Sequence, residues 1–296
     1  MTEHKQHMDR FHRELEEYLD QQNVGEGEDL QKYLDQFMSI YNERLQSGYK
    51  SKLDIALEKF YTAESPAEKE KRAYGVLKYD PYHFDARWIM EFNKTKDFLG
   101  TYEKLLNEDE IRLAKEGYET GKYYSIYETR EFIQKLYEYM ELLIEHEYFE
   151  KAIETGEKIM RLNENDNTGS RFHLMHLYAY LDKEQEAKQL YEYSIDKRSC
   201  MYLMPLACIA YNRGRLEEAE RYFQDILKYT KDAKRYLRAM KNDREHEFLP
   251  TEVTGCYKPF SWEELYYMFE ENWFLYEAKP EFMKWVYQQV RLVKKS

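Results

Sequence analysis

Apolar residues recur at steps of three and four along most of this chain, the spacing that draws one stripe down an α-helix. Met8, Phe11, Leu15 and Leu19 form such a stripe in a helix expected over residues 1 to 24, and Asn23-Val-Gly-Glu-Gly27 breaks it. A second helix is expected from near Asp29, with Leu30, Tyr33, Leu34, Phe37, Met38 and Tyr41 as its core stripe. A third runs from about Ser51 to Thr62. Ser65-Pro-Ala-Glu68 then opens a fourth with a capping box and proline at the first helical position. That helix stops at Asp80-Pro81, and Phe84-Asp-Ala-Arg-Trp88 restarts another. From Lys94 to Gly121 the period weakens, and Glu119-Thr-Gly-Lys122 marks a turn that closes an N-terminal helical region, residues 1–122. Few alternating, strand-like stretches occur, so the expected class is all-α.

Beyond that turn the pattern repeats. Leu162-Asn-Glu-Asn-Asp-Asn-Thr-Gly-Ser-Arg171-Phe172 is a polar, turn-forming hinge with helical patterns in phase on both sides. Three copies align on Ala152, Ala187 and Ala219. Four residues after each alanine stand Gly156, Tyr191 and Phe223, and thirteen before each stand Tyr139, Leu174 and Leu206. The offsets fit the tetratricopeptide pattern of about 34 residues, in which a small residue lets the two helices of a hairpin approach. The expectation is a right-handed helical-hairpin solenoid over 123–232, closed by capping helices over 233–296. After Ile226 a charged, irregular segment through Glu247 reads as one helix. Ser261-x-x-Glu264 gives a capping box with Phe260 and Leu265 as its hydrophobic staple, and two helices follow, Trp262 to Tyr276 and Pro280 to Val290.

Thr129-Arg130-Glu-Phe132, the hinge from Leu162 to Phe172, the third repeat, and Ser261-x-Glu-Glu with Trp273, Pro280 and Trp285 together resemble tetratricopeptide-like proteins of the suppressor-of-tumorigenicity-7 type. The resemblance covers about residues 126 to 290 and departs at Glu131 and Glu164, where proline would be expected. It implies a helical-repeat scaffold and brings no defined chemistry with it. By the same resemblance the concave face, where such arrays bind peptides, includes Gln134, Tyr137, Glu141, Phe172, His176, Met201, Met204, Cys208 and Tyr211. Being aromatic and Met-rich, that surface suits an extended or helical apolar peptide. A second reading packs part of it against the N-terminal helices.

Composition narrows the function. The 296 residues carry a net charge of −12, with acidic and basic side chains interspersed, which disfavours nucleic acid as a partner. The N-terminus lacks an apolar leader-like run, and Ser199 to Asn212, the longest uncharged stretch, is shorter than the roughly 20 residues of a membrane span. It reads as a buried helix. Cys200, Cys208 and Cys256 show neither disulfide nor zinc spacing, so a reducing cytoplasm is expected.

Candidate chemistry is sparse. Arg130 and Arg171 stand near the starts of first helices, where a guanidinium meets either a partner's carboxylate or, for Arg171, the local Asp166. His173-x-x-His176 has metal-ligand spacing without evident further ligands, and the early His4, His7 and His12 likewise lack fixed partners. Gly156 inside a helix points to close packing, against an aromatic neighbour or a ligand. No phosphate loop, nucleophile elbow or His-Glu-x-x-His motif occurs. The expected function is a protein- or peptide-binding adaptor that uses no cofactor. The alternative is a receptor whose superhelix changes shape when it binds a peptide, and an enzyme is the least favoured class.

Overall fold

The computed structural model describes residues 3–22, 30–248 and 257–292, and excludes the side chains of residues 3–9, 245 and 292. The expectations for Met8, His4 and His7, the break at 23–27, Cys256 and most of the loop at 249–259 lie outside the described residues. Among those described the secondary structure is helical, with only two isolated bridges, Lys122 to Asn163 and Lys231 to Ser261. The chain forms two compact units, residues 1–118 with 125–132, and residues 119–124 with 133–296.

In the first unit, α1 (Glu3–Gln22) packs on α2 (Leu30–Gln46), and α3 (Lys52–Tyr61), α4 (Pro66–Leu77), α5 (Phe84–Thr95) and α6 (Phe98–Glu116) pack each on the next. Phe60, Ala73, Val76, Ala86 and Met90 make the core of α3 to α5. The reciprocal capping box sits at Ser51, whose hydroxyl accepts from the Asp54 amide while the Asp54 carboxylate accepts from the Ser51 amide. Arg13 also donates to Asp54, at 2.6 Å, tying α1 to α3. At Ser65 only half of the expected box forms: the hydroxyl caps the Glu68 amide, but the Glu68 side chain pairs forward with Arg72. The expected core stripe of α2 is also half core. Phe37 and Tyr41 are buried around Phe11, whereas Leu30 and Met38 are exposed, because a single helix covers only a narrow strip of α2. The stretch with the weak period is the 19-residue α6, opened by an Asp97 cap and closed by Gly117 in the left-handed conformation.

In the second unit three helical hairpins follow one another. They are α7 (Tyr127–Glu145, its first residues belonging to the first unit) with α8 (Phe149–Leu162), α9 (Ser170–Tyr180) with α10 (Glu184–Tyr193), and α11 (Cys200–Asn212) with α12 (Leu216–Tyr229). The aligned Ala152, Ala187 and Ala219 have no exposed surface. Helix α11 is buried from Cys200 to Ala210, with Pro205 inside it. The segment after Ile226 is not one helix: α12 ends at Tyr229, and α13 (Ala233–Lys241) and a 3₁₀ turn (Glu245–Phe248) follow. The first closing helix is likewise two, α14 (Trp262–Glu271) and α15 (Trp273–Ala278), broken at Asn272, before α16 (Pro280–Leu292). The Asn272 amide nitrogen donates to the Met268 carbonyl, closing α14 with a side chain.

Gly156 lies at the crossing of three helices. A Cβ there would stand 2.9 Å from Leu174 Cδ2 and 2.9 Å from Met140 Cε, so its neighbours are aliphatic rather than aromatic. Alanine would gain roughly 1 kcal/mol of helix propensity, against about 1–3 kcal/mol for overpacking. Gly156→Ala is therefore expected to lower the melting temperature slightly and Gly156→Leu to lower it much more. A higher melting temperature for the alanine variant would show that close approach does not select this glycine.

Candidate functional site

The hinge before α9 is built on Asp166, a buried residue with φ of +43°. Its carboxylate accepts from the Ser170 and Arg171 amides at 2.9 and 3.1 Å, capping two first-turn donors of α9. The Arg171 guanidinium donates to the same carboxylate at 2.8 Å and to the Asp166 carbonyl at 3.1 Å. It also lies 4.5 Å over the Phe172 ring, which meets Tyr202 edge-on. Arg171 thus takes the local role. Burial pushes the Asp166 carboxyl up, opposed by these donors.

Of the residues expected on an open face, four are covered or engaged by the chain's own last helices. His176 is fully buried and Met204 and Cys208 have no exposed surface. Tyr211 meets Phe282 and Trp285 at ring distances of 5.7 and 5.4 Å. Helix α15 packs on α9, while α14 and α16 pack on α11. Met201 is buried as well, and burial pushes the Cys208 thiol up to about 12. The open apolar groove read from the sequence is therefore filled over α9 and α11. The physical reason is that α11 is apolar on every side, so its second face also has to be covered.

The covering helices are held by a buried polar seam. His176 Nδ1 donates to the Phe172 carbonyl at 2.7 Å, which leaves Nε2 to accept from the Tyr276 hydroxyl at 2.9 Å. His173 Nδ1 faces Asn272 Oδ1 at 3.0 Å. Because the Asn272 nitrogen donates to Met268, its oxygen must accept from His173, and His173 Nε2 then accepts from the Tyr137 hydroxyl at 3.0 Å. Both rings are neutral; burial holds His176 down at about 3. With both nitrogens of each ring engaged, neither histidine is available to a metal, and no group of three or more metal-ligating side chains occurs among the described residues. Glu264 anchors the start of α14 by accepting from the Ser199 hydroxyl and the Phe260 amide, one residue earlier than the expected box. Phe260 lies under the Arg198 guanidinium, at 4.8 Å.

The remaining candidates lie on α7. Gln134 and Tyr137 are half-buried and Glu141 is exposed, while Arg130 is half-buried on the part of α7 that belongs to the first unit. Glu141 stands among carboxylates. Desolvation first, then the charges of Glu271, Glu138 and Glu145, push its carboxyl up to about 7. Glu271, also exposed as a residue, has its carboxyl raised by desolvation alone. The sequence carried no signal for this pairing of α7 with the end of α14, because it depends on the fold-back of the last helices.

The geometry defines an all-α protein of consecutive helical hairpins whose C-terminal helices cover the second and third. Among the described residues no helix is long and apolar enough to cross a membrane. Compared with protein-family models, curated proteins and solved structures, the chain matches none of them.

His176→Phe and Tyr276→Phe are each expected to destabilise the protein by about 1–3 kcal/mol, since each orphans a buried partner. The double variant should cost clearly less than the sum, and strict additivity in denaturant melts would disprove the coupling. Glu141 titrates higher in the folded than in the unfolded chain. Its contribution is complete below the unfolded carboxylate range and is lost as pH rises through about 7. Melting temperature should therefore fall between pH 5 and 8, and Glu141→Gln should flatten that fall.

Proposed function

We propose that the chain is a protein-binding adaptor of the tetratricopeptide-like kind that holds a basic segment of its partner against the acidic end of its hairpin stack. The observation that carries this reading is the set of carboxylates around Tyr137. The charges of Glu271, Glu138 and Glu145 act on Glu141 there, adding to the desolvation that raises its carboxyl. Glu138 is already paired with Lys135 at 2.8 Å, whereas Glu141 and Glu271 are exposed residues whose carboxyls are both raised by desolvation. A Lys or Arg side chain of a partner would relieve that repulsion. The apolar surface that would have suited a hydrophobic peptide is already used internally by α14 to α16. The repeat offsets and the hinge support the tetratricopeptide-like assignment, and the net charge of −12 favours cationic partners in general.

Capture from lysate by the immobilised chain, with Glu141→Lys/Glu271→Lys compared with Glu150→Lys/Glu154→Lys on α8, tests the reading. A protein retained by the wild type and by the α8 variant, but lost from the Glu141/Glu271 variant, is the expected result. Equal retention by both variants, or no retained protein at all, would sink it.

A further inference from the structure

At the far end of α13 the charge reverses. Arg235 and Arg238 of α13 and Arg244 of the turn beyond it line one cleft of about 320 Å³, together with Ala239, Asn242, Glu247 and Phe248. The guanidiniums are fixed from different sides. Arg235 lies 5.0 Å over the Phe248 ring, Arg238 donates to the Val290 carbonyl of α16 at 3.3 Å, and Arg244 pairs with Glu247 at 2.9 Å. Desolvation first, then the charge of Arg291, lower the Lys241 ammonium at the end of α13. Among the described residues Glu247 is the one carboxylate in the lining, against three guanidiniums. Basic residues in the last turn of a helix complement its dipole, which accounts for Arg238 and Lys241. It does not account for Arg244, which belongs to the chain beyond the helix end and turns back into the same cleft.

We propose that this cleft binds a phosphate-bearing ligand, with Arg235 and Arg238 as its principal donors and Arg244, held through Nε and Nη2 by Glu247 at 2.9 and 3.0 Å, offering its remaining Nη1. Several guanidinium forks around one concave space match a tetrahedral anion with many acceptor oxygens better than a planar carboxylate, which one fork saturates. The volume exceeds what one phosphate fills and falls at the lower end of small-ligand sites. A diphosphate group or a phosphorylated headgroup therefore fits better than a lone inorganic ion. All three arginines are exposed, so their replacement leaves the core intact.

Calorimetric titration of the full chain with inorganic pyrophosphate tests the site. Sedimentation with phosphatidylcholine vesicles, with and without a phosphoinositide, forms a second arm. Arg235→Gln/Arg238→Gln is compared with Lys71→Gln/Lys78→Gln, which removes the same charge elsewhere. Saturable pyrophosphate binding, weakened at least about tenfold in the arginine variant and unchanged in the lysine variant, is expected for a free phosphate ligand. Phosphoinositide-dependent sedimentation with the same arginine dependence assigns the phosphate to a lipid headgroup. Saturation by neither probe, or equal weakening in both variants, overturns the proposal.

Discussion

A buried imidazole nitrogen left without a hydrogen-bond partner would cost about 1–3 kcal/mol, and α9 carries four buried imidazole nitrogens, on His173 and His176, each of which has one. Two can be satisfied only from the C-terminal helices, by Asn272 and Tyr276. This requirement fixes where those helices lie. Apolar contact alone would let α15 slide along α9, since one aromatic pairing resembles the next. The pairs His173 with Asn272 and His176 with Tyr276 hold the register to a single residue. The same constraint breaks the closing helix, because Asn272 has to leave the helical path to face His173 while its nitrogen holds Met268.

The hinge before α9 uses the same economy with charge instead of neutral polarity. Asp166 satisfies two first-turn amides and the Arg171 guanidinium at once, so the start of α9 and the angle at which the second hairpin leaves the first depend on one buried carboxylate. Arg171 is about a third exposed, and its pairing with Asp166 contributes less than the caps do. The hinge therefore stays rigid through its backbone bonds, and the guanidinium mainly orients Phe172 toward Tyr202.

How much of this was legible in the sequence follows from what each signal encodes. Spacing gave the helices and the three alanines because burial of one face repeats with the helical period. Local chemistry at Ser65 and Ser261 announced helix starts, but which carboxylate returns to which amide depends on competitors such as Arg72 and Ser199, which pattern cannot rank. The groove was misplaced for a clearer reason. The uncharged run from Ser199 to Asn212 already implied a helix buried all round, which is incompatible with Met204 and Cys208 lining an open face. The covering element was in the sequence as the aromatic cap at Trp262 to Val290. Its docking onto α9 is set by long-range pairs nearly a hundred residues apart, such as His173 with Asn272.

Once the apolar faces are used up internally, the charges left on the surface carry whatever recognition remains. They are not mixed evenly. Carboxylates gather around Tyr137, and guanidiniums gather where α13 ends. Each gathering raises the energy of the unliganded protein, the first by desolvation and repulsion that lift Glu141 toward neutrality and the second by three guanidiniums, of which only Arg244 has a carboxylate partner in the cleft lining among the described residues. Folding does not require either, because the histidine seam and the Asp166 hinge hold the helices without them. Repulsion that the fold tolerates but does not use is relieved most directly by a ligand of opposite charge, which is why the two proposed sites would take ligands of opposite sign.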